Sequence, residues 1–121
     1  MGKKLFALRG ATQAVNTADD IEKRTAYLYD ELLKLNKLEE GDIVSVIFSV
    51  TADLDEKNPA AALRHAGRAA ALSLFAVQEA FVKGGLSRII RILIHCYLDE
   101  DAAVRHLYCN GAEPLRPDRI D

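Results

Sequence analysis

The stretch SRIIRILIHCYL, residues 87–98, decides how the chain is read. Its isoleucines favour a strand, and successive side chains of a strand point to opposite faces. Ile90, Ile92, Ile94 and Cys96 then make one apolar face, and Arg91, Leu93, His95 and Tyr97 make the other. A guanidinium stays charged at any ordinary pH, and burying it unpaired costs several kcal/mol. The first face therefore belongs to a core. The second lines a cleft or an open surface on which Arg91 meets an anion. Glu79, at the end of the preceding apolar run, is one candidate partner, and a ligand carboxylate is another.

Working outward, Gly84-Gly85 turns the chain into this strand, and ALSLFAVQE (71–79) and IVSVIFSV (43–50) read as two further strands. KLFALRGAT (4–12) reads as the first, with Leu5, Ala7 and Arg9 on one face and Phe6 and Leu8 on the other. Gly10 marks a bend or a close backbone approach. Asn16 or Thr17 caps a helix with Asp19 and Asp20 in its first turn, where the helix dipole favours anions. Ile21, Leu28, Leu32 and Leu35 follow at helical spacing and predict an end near Asn36. Asn58-Pro59 is a second helix start, a capping residue before a proline at the first helical position. That helix runs to about Gly67. DEDAAVRHLY (99–108) predicts a short helix or helical turn, and EPLRPD (113–118) a proline-rich tail without regular structure. The predicted order is β-α-β-α-β-β and a short helix: one α/β or α+β domain over residues 1–121, with flanking helices on a single mixed sheet.

Composition narrows the function. A chain of 121 residues is one domain's worth, and its hydrophobic share of 50% hints at a subunit interface. The net charge is -2 and no basic tract stands out, which argues against nucleic acid. Apolar runs fall far short of the roughly 18 residues that span a bilayer. The opening MGKKLFALRG lacks the apolar region of a signal peptide. A soluble, cytoplasmic protein is expected, with Cys96 and Cys109 reduced. His65, His95 and His106 show no metal-ligand spacing, so no metal site is expected. The cationic positions are more telling. Arg9 and Arg91 lie on predicted strands, and Arg116 sits between Leu115 and Pro117. Several arginines near strand ends suit a small anion carrying more than one carboxylate, which the guanidinium fork matches bidentately. An arginine paired with a nearby acid explains each of them singly just as well.

The blocks LRGAT, SVTADL, NPAAALR, VQE, GGLSRIIRIL, VRHLY and LRPD are collinear over almost the whole chain. In order and spacing they resemble the AroH-class chorismate mutases. That resemblance implies a mixed sheet with flanking helices in a barrel-like homotrimer, with active sites in clefts between subunits. It implies a cofactor-free isomerase of aromatic amino acid biosynthesis that converts chorismate to prephenate by an intramolecular Claisen rearrangement. By the match, Arg91 stabilises the substrate's ether oxygen and Glu79 takes its ring hydroxyl. Arg9 grips a carboxylate, and Tyr108 hydrogen-bonds at the same end. Arg64 is lent to the neighbouring subunit's site. Arg116 closes over the site on a C-terminal tail spanning 112–121. Asn58, Ala60, Phe75, Ala76 and Leu115 complete the substrate cleft. The chain departs from the pattern at Asn58, where the family often has an aromatic residue, at Ala61, often lysine, and at Ala76, often cysteine. The tail CNGAEPLRPD is also less apolar than is common. Two alternatives stand beside this reading. One is an imine deaminase of the RidA type, similar in trimeric shape. The other is a non-catalytic trimer that binds an aromatic-pathway carboxylate.

Overall fold

The computed structural model describes residues 2–116. Strand β1 (Lys3–Gln13) leads to helix α1 (Ala18–Leu35), a 3-10 turn at Glu40–Asp42 and β2 (Ile43–Val50). Helix α2 (Pro59–His65), β3 (Leu74–Gln78), β4 (Ile89–Asp99), β5 (Leu107–Cys109) and a 3-10 turn at Glu113–Leu115 follow. The strands form one mixed sheet in the order β3-β2-β4-β1-β5. β4 is central and antiparallel to both β1 and β2, while β3 and β5 lie parallel to β2 and β1 at the edges.

Local chemistry places the helices as the sequence predicts. Thr17 caps α1 by accepting the Asp20 N–H, and Asp20 Oδ2 in turn accepts the Val15 N–H at 2.6 Å. Asn58 caps α2, its Oδ1 accepting from the N–H groups of Ala60 and Ala61. Both helices cover one face of the sheet. Ile21, Leu28 and Leu32 of α1 and Ala62 and Leu63 of α2 form a core with Leu8, Val46, Phe48, Ile90, Ile92, Ile94 and Cys96. Each fully buried aliphatic side chain there contributes about 1.5–3 kcal/mol. The apolar face read from residues 87–98 is thus the buried one.

Among the described residues, no helix lies over the opposite face of the sheet. Alternation along the strands sends Leu5, Arg9, Ile47, Ser49, Phe75, Val77, Arg91, Leu93 and Tyr97 to that side, and Leu5, Phe75, Val77 and Tyr97 are exposed. At one end of this face, Ala11, Ile89 and Ala112 make a small second cluster with Tyr108 and Leu115, so residues 111–115 wall off that end.

Two sequence expectations change, and a third is settled between its two alternatives. The segment 99–108 is not helical: after a turn it runs extended into β5. The cause is the side-chain amide of Asn36, which takes the place of a neighbouring strand. Its Nδ2 donates to Arg105 O (2.9 Å), and Arg105 N donates to its Oδ1 (2.8 Å). The sequence EPL is not irregular but forms a 3-10 turn, in which the proline's missing N–H leaves no broken hydrogen bond. Gly10 is not at a bend, since β1 continues to Gln13. It is the close approach: a Cβ there would sit 2.7 Å from Leu107 O and 3.1 Å from methyl carbons of Leu28 and Leu32. Among the described residues no helix is long and apolar enough to cross a membrane.

Candidate active site

Strand register assembles the site on the uncovered face. Val77, Ser49, Arg91, Ala11 and Tyr108 are successive partners across all five strands and form one transverse row. Phe75, Ile47, Leu93 and Arg9 form the next row. Ala11, between Arg91 and Tyr108 in the row, is fully buried and packs in the small cluster with Ala112, Tyr108 and Leu115. A cleft of about 290 Å³ is lined by Arg9, Ile47, Ser49, Arg91, Tyr108 and Leu115 among others. Arg9 and Tyr108 also line an adjoining space of about 730 Å³ with Arg105, His106 and Arg116. On its other side Arg91 borders a space of about 490 Å³ beside Glu79 and Leu115.

Arg91 has its anion within the chain. Its Nε donates to Glu79 Oε2 at 2.7 Å, with side-chain exposures of 39% for the arginine and 20% for the glutamate. The pair is accessible to a ligand and is not sealed in the core. Glu79 is fixed from two further sides: its N–H donates to Val50 O (2.7 Å), and its Oε1 accepts the Ser49 hydroxyl (2.7 Å). Arg9 N donates to His106 Nδ1 at 3.0 Å, which ties the strand carrying the Arg9 side chain to the segment leading into β5. Burial pushes the Cys109 thiol pKa up, so a thiolate nucleophile is not poised beside Tyr108. Among the described residues, no group of three or more His, Cys, Asp and Glu side chains comes together to hold a metal ion.

The sequence-derived site residues fall into two sets. Arg9, Glu79, Arg91, Tyr108, Leu115 and Arg116 converge on the cleft and its borders. Asn58 and Ala76 line a separate groove of about 340 Å³ with Lys57 and Gln78. Arg64, on α2, donates from Nη2 to Leu72 O at 2.8 Å. Ala60 packs against the core, and Phe75 stands 64% exposed on the uncovered face. A single chain therefore does not bring Arg64, Asn58, Ala60 or Ala76 to Arg91. Residues 117–121 of the tail lie outside the described residues. Sequence reasoning missed Ser49, which lines the cleft, and His106, which lines the adjoining space. For Ser49 a signal existed: Ser45 and Ser49 interrupt an apolar strand at even spacing, and they stand opposite His95 and Arg91, which are spaced alike.

Fold and cleft define a small α+β domain with an arginine-lined cleft whose central cation is paired to a carboxylate. Comparison with known proteins identifies the family: residues 5–119 match the profile of chorismate mutase type I, and the chain belongs to that family. It is 31% identical over 113 residues to the chorismate mutase AroH of Bacillus subtilis (strain 168), covering 92% of this chain and 89% of the relative. It is 36% identical over 114 residues to the chorismate mutase AroH of Thermus thermophilus, covering 92% and 93% of the two chains. A solved chorismate mutase from Clostridium thermocellum superposes with a TM-score of 0.84 at 42% identity, over 90% of this chain and 98% of that one. These likenesses support neither the imine deaminase nor the non-catalytic alternative.

Proposed function

We propose that this chain, a chorismate mutase by family, carries out the rearrangement of chorismate to prephenate in the cleft beneath Arg91. The observation that carries this reading is the row Ser49–Arg91–Ala11–Tyr108 with Arg9 in the row beside it. In the reaction an ether C–O bond breaks as a C–C bond forms within one molecule. Substrate and product are isomers, and no proton or electron has to leave or enter.

A site for this chemistry has two tasks. It must hold a dianion in the compact conformer in which the carbon ends meet, a matter of orientation. It must also favour the charge distribution of the transition state over that of the ground state. Arg9, with Tyr108 at its side, takes a carboxylate. Arg91 faces the ether oxygen, which gains negative charge as the bond breaks, and a fixed cation there acts mainly on the transition state. Glu79 accepts the ring hydroxyl and balances the positive charge developing on the ring. Arg116, which lines the adjoining space with Tyr108, closes over the cleft.

The full site is completed by a neighbouring copy in a homotrimer. Arg64, Asn58, Ala60 and Ala76 sit on the α2 side of the chain, apart from Arg91. In a ring of copies they face the next subunit's cleft. The uncovered sheet face supports this assembly, since Leu5, Phe75, Val77 and Tyr97 are exposed there. The whole chain acts as one cytoplasmic domain.

The test is direct. Purified protein is mixed with chorismate, the loss of its conjugated-diene absorbance is followed, and prephenate is identified as product. Conversion without added metal or cofactor is the expected result. A folded trimer that binds chorismate without turnover would overturn the reading.

A further inference from the structure

We propose that Ser49 is a positioning residue for this reaction, one that holds the Glu79–Arg91 pair in a one-point contact and so keeps the outer face of the guanidinium available to substrate. The proposal rests on the reading of Arg91 given above.

A guanidinium and a carboxylate left to themselves prefer two parallel hydrogen bonds. Here the contact is single, Arg91 Nε to Glu79 Oε2 at 2.7 Å. Among the described residues, no hydrogen bond joins the terminal nitrogens of Arg91 to a protein acceptor. The reason is the second carboxylate oxygen. Glu79 Oε1 accepts the Ser49 hydroxyl at 2.7 Å, the length of a charge-assisted O–H···O⁻ bond. Ser49 can reach it because it is the cross-strand partner of Arg91 in β2, and Glu79 leaves β3 with its own N–H tied to Val50 O. Glu79 is thus held at three points: its backbone N–H, Oε1 and Oε2.

Ser49 also lines the 290 Å³ cleft beside Arg91, so its hydroxyl acts at the site and not in the remote core. Without it, Oε1 is free to turn onto a terminal nitrogen of Arg91. The ion pair then becomes two-point and stronger, and the N–H meant for the ether oxygen is consumed. The charge on that oxygen develops only in the transition state, so the loss falls on kcat and not on substrate binding.

The experiment compares the full-length protein with Ser49→Ala and Ser49→Thr on chorismate, together with thermal melting and a crystal structure of Ser49→Ala. We expect Ser49→Ala to lose about tenfold in kcat, the loss typical of one hydrogen bond to a charged group, with KM within about twofold. Its melting temperature should not fall, the pair should become two-point in the crystal, and Ser49→Thr should recover most of the rate. An unchanged kcat in Ser49→Ala overturns the assignment. So does a loss that appears with a lowered melting temperature and is not recovered by threonine, since that is the pattern of a merely structural residue. If the unmodified protein does not turn over chorismate, the proposed function fails and this assignment fails with it.

Discussion

At the scale of single residues, the open question was how a cation survives among isoleucines. Alternation puts Arg91 on the uncovered side of β4, where Glu79 balances it within reach of solvent. A half-exposed pair of this kind adds little to stability, so its presence is better explained by what it does to a ligand. Replacing Arg91 with glutamine should lower turnover by at least about 10²–10³-fold, the usual loss of one oxyanion-type donor. It should cost no more than about 1 kcal/mol in unfolding free energy, and steady-state kinetics beside denaturant melts check both figures. A second residue makes the pH dependence of stability specific. Burial, then the hydrogen bond to Glu40, raises the pKa of Tyr29. Its hydroxyl donates to Glu40 Oε2, which also accepts the Ala69 N–H at 2.9 Å. The folded protein holds this proton more tightly than the unfolded chain, so the contribution is whole below the usual tyrosine value of about 10 and is lost as pH rises beyond it. Unfolding free energy should fall above that pH in the native protein. The fall should be shallower in Tyr29→Phe, as equilibrium melts across the alkaline range would show.

At the scale of elements, β5 has only three residues, yet it brings Tyr108 to the site. It is held by the parallel pairing of Leu107, Tyr108 and Cys109 with Gly10, Ala11 and Thr12, and by the Asn36 amide on Arg105. The LRGAT block is therefore more than a ligand motif. Arg9 faces the cleft, Gly10 lets β5 and α1 close in, and Ala11 packs in the small cluster with Tyr108 and Leu115. Gly10→Ala puts a methyl group 2.7 Å from Leu107 O, where the obstacle is backbone and cannot swing aside. We expect it to destabilise the protein by about 1–3 kcal/mol, as overpacking does. Activity should also fall, with faster amide exchange in 105–109 than in β4. Exchange that stays uniform across the sheet would contradict this account of β5.

At the scale of the whole molecule, the residues that the family resemblance assigns to the site lie on two surfaces of one chain. The Arg91 cleft and the groove beside α2 share no lining residue, and among the described residues no helix covers the sheet face that carries Leu5, Phe75, Val77 and Tyr97. In a closed ring, each cleft would take Arg91 from one copy and Arg64 from the next. Arg64→Ala and Arg91→Ala would each be nearly inactive alone. Unfolded together in equal amounts and refolded, they should regain native pairs of residues at about a quarter of the sites, as random mixing in a cyclic oligomer gives. Turnover of the mixture near that of the single variants would show that the two residues serve no common site.

Much of this was legible in the chain itself, for a physical reason. Side-chain period and capping are local properties, so residues 87–98 reveal their two faces, Asn16-Thr17 and Asn58-Pro59 reveal their helix starts, and Arg9, Glu79 and Arg91 can be singled out by position, while Tyr108 is singled out by the family resemblance alone. The segment 99–108 was misread because its extended form depends on Asn36, some 69 residues away along the chain. Ser49 went unnoticed because a serine's importance lies in its cross-strand partner. Register across a sheet is settled by long-range packing between segments far apart in sequence, and no local pattern records it. The amino-acid order determined which residues look toward the cleft. Only the tertiary structure decided which of them stand side by side, why Arg91 meets Glu79 at a single point, and which site residues one chain keeps apart.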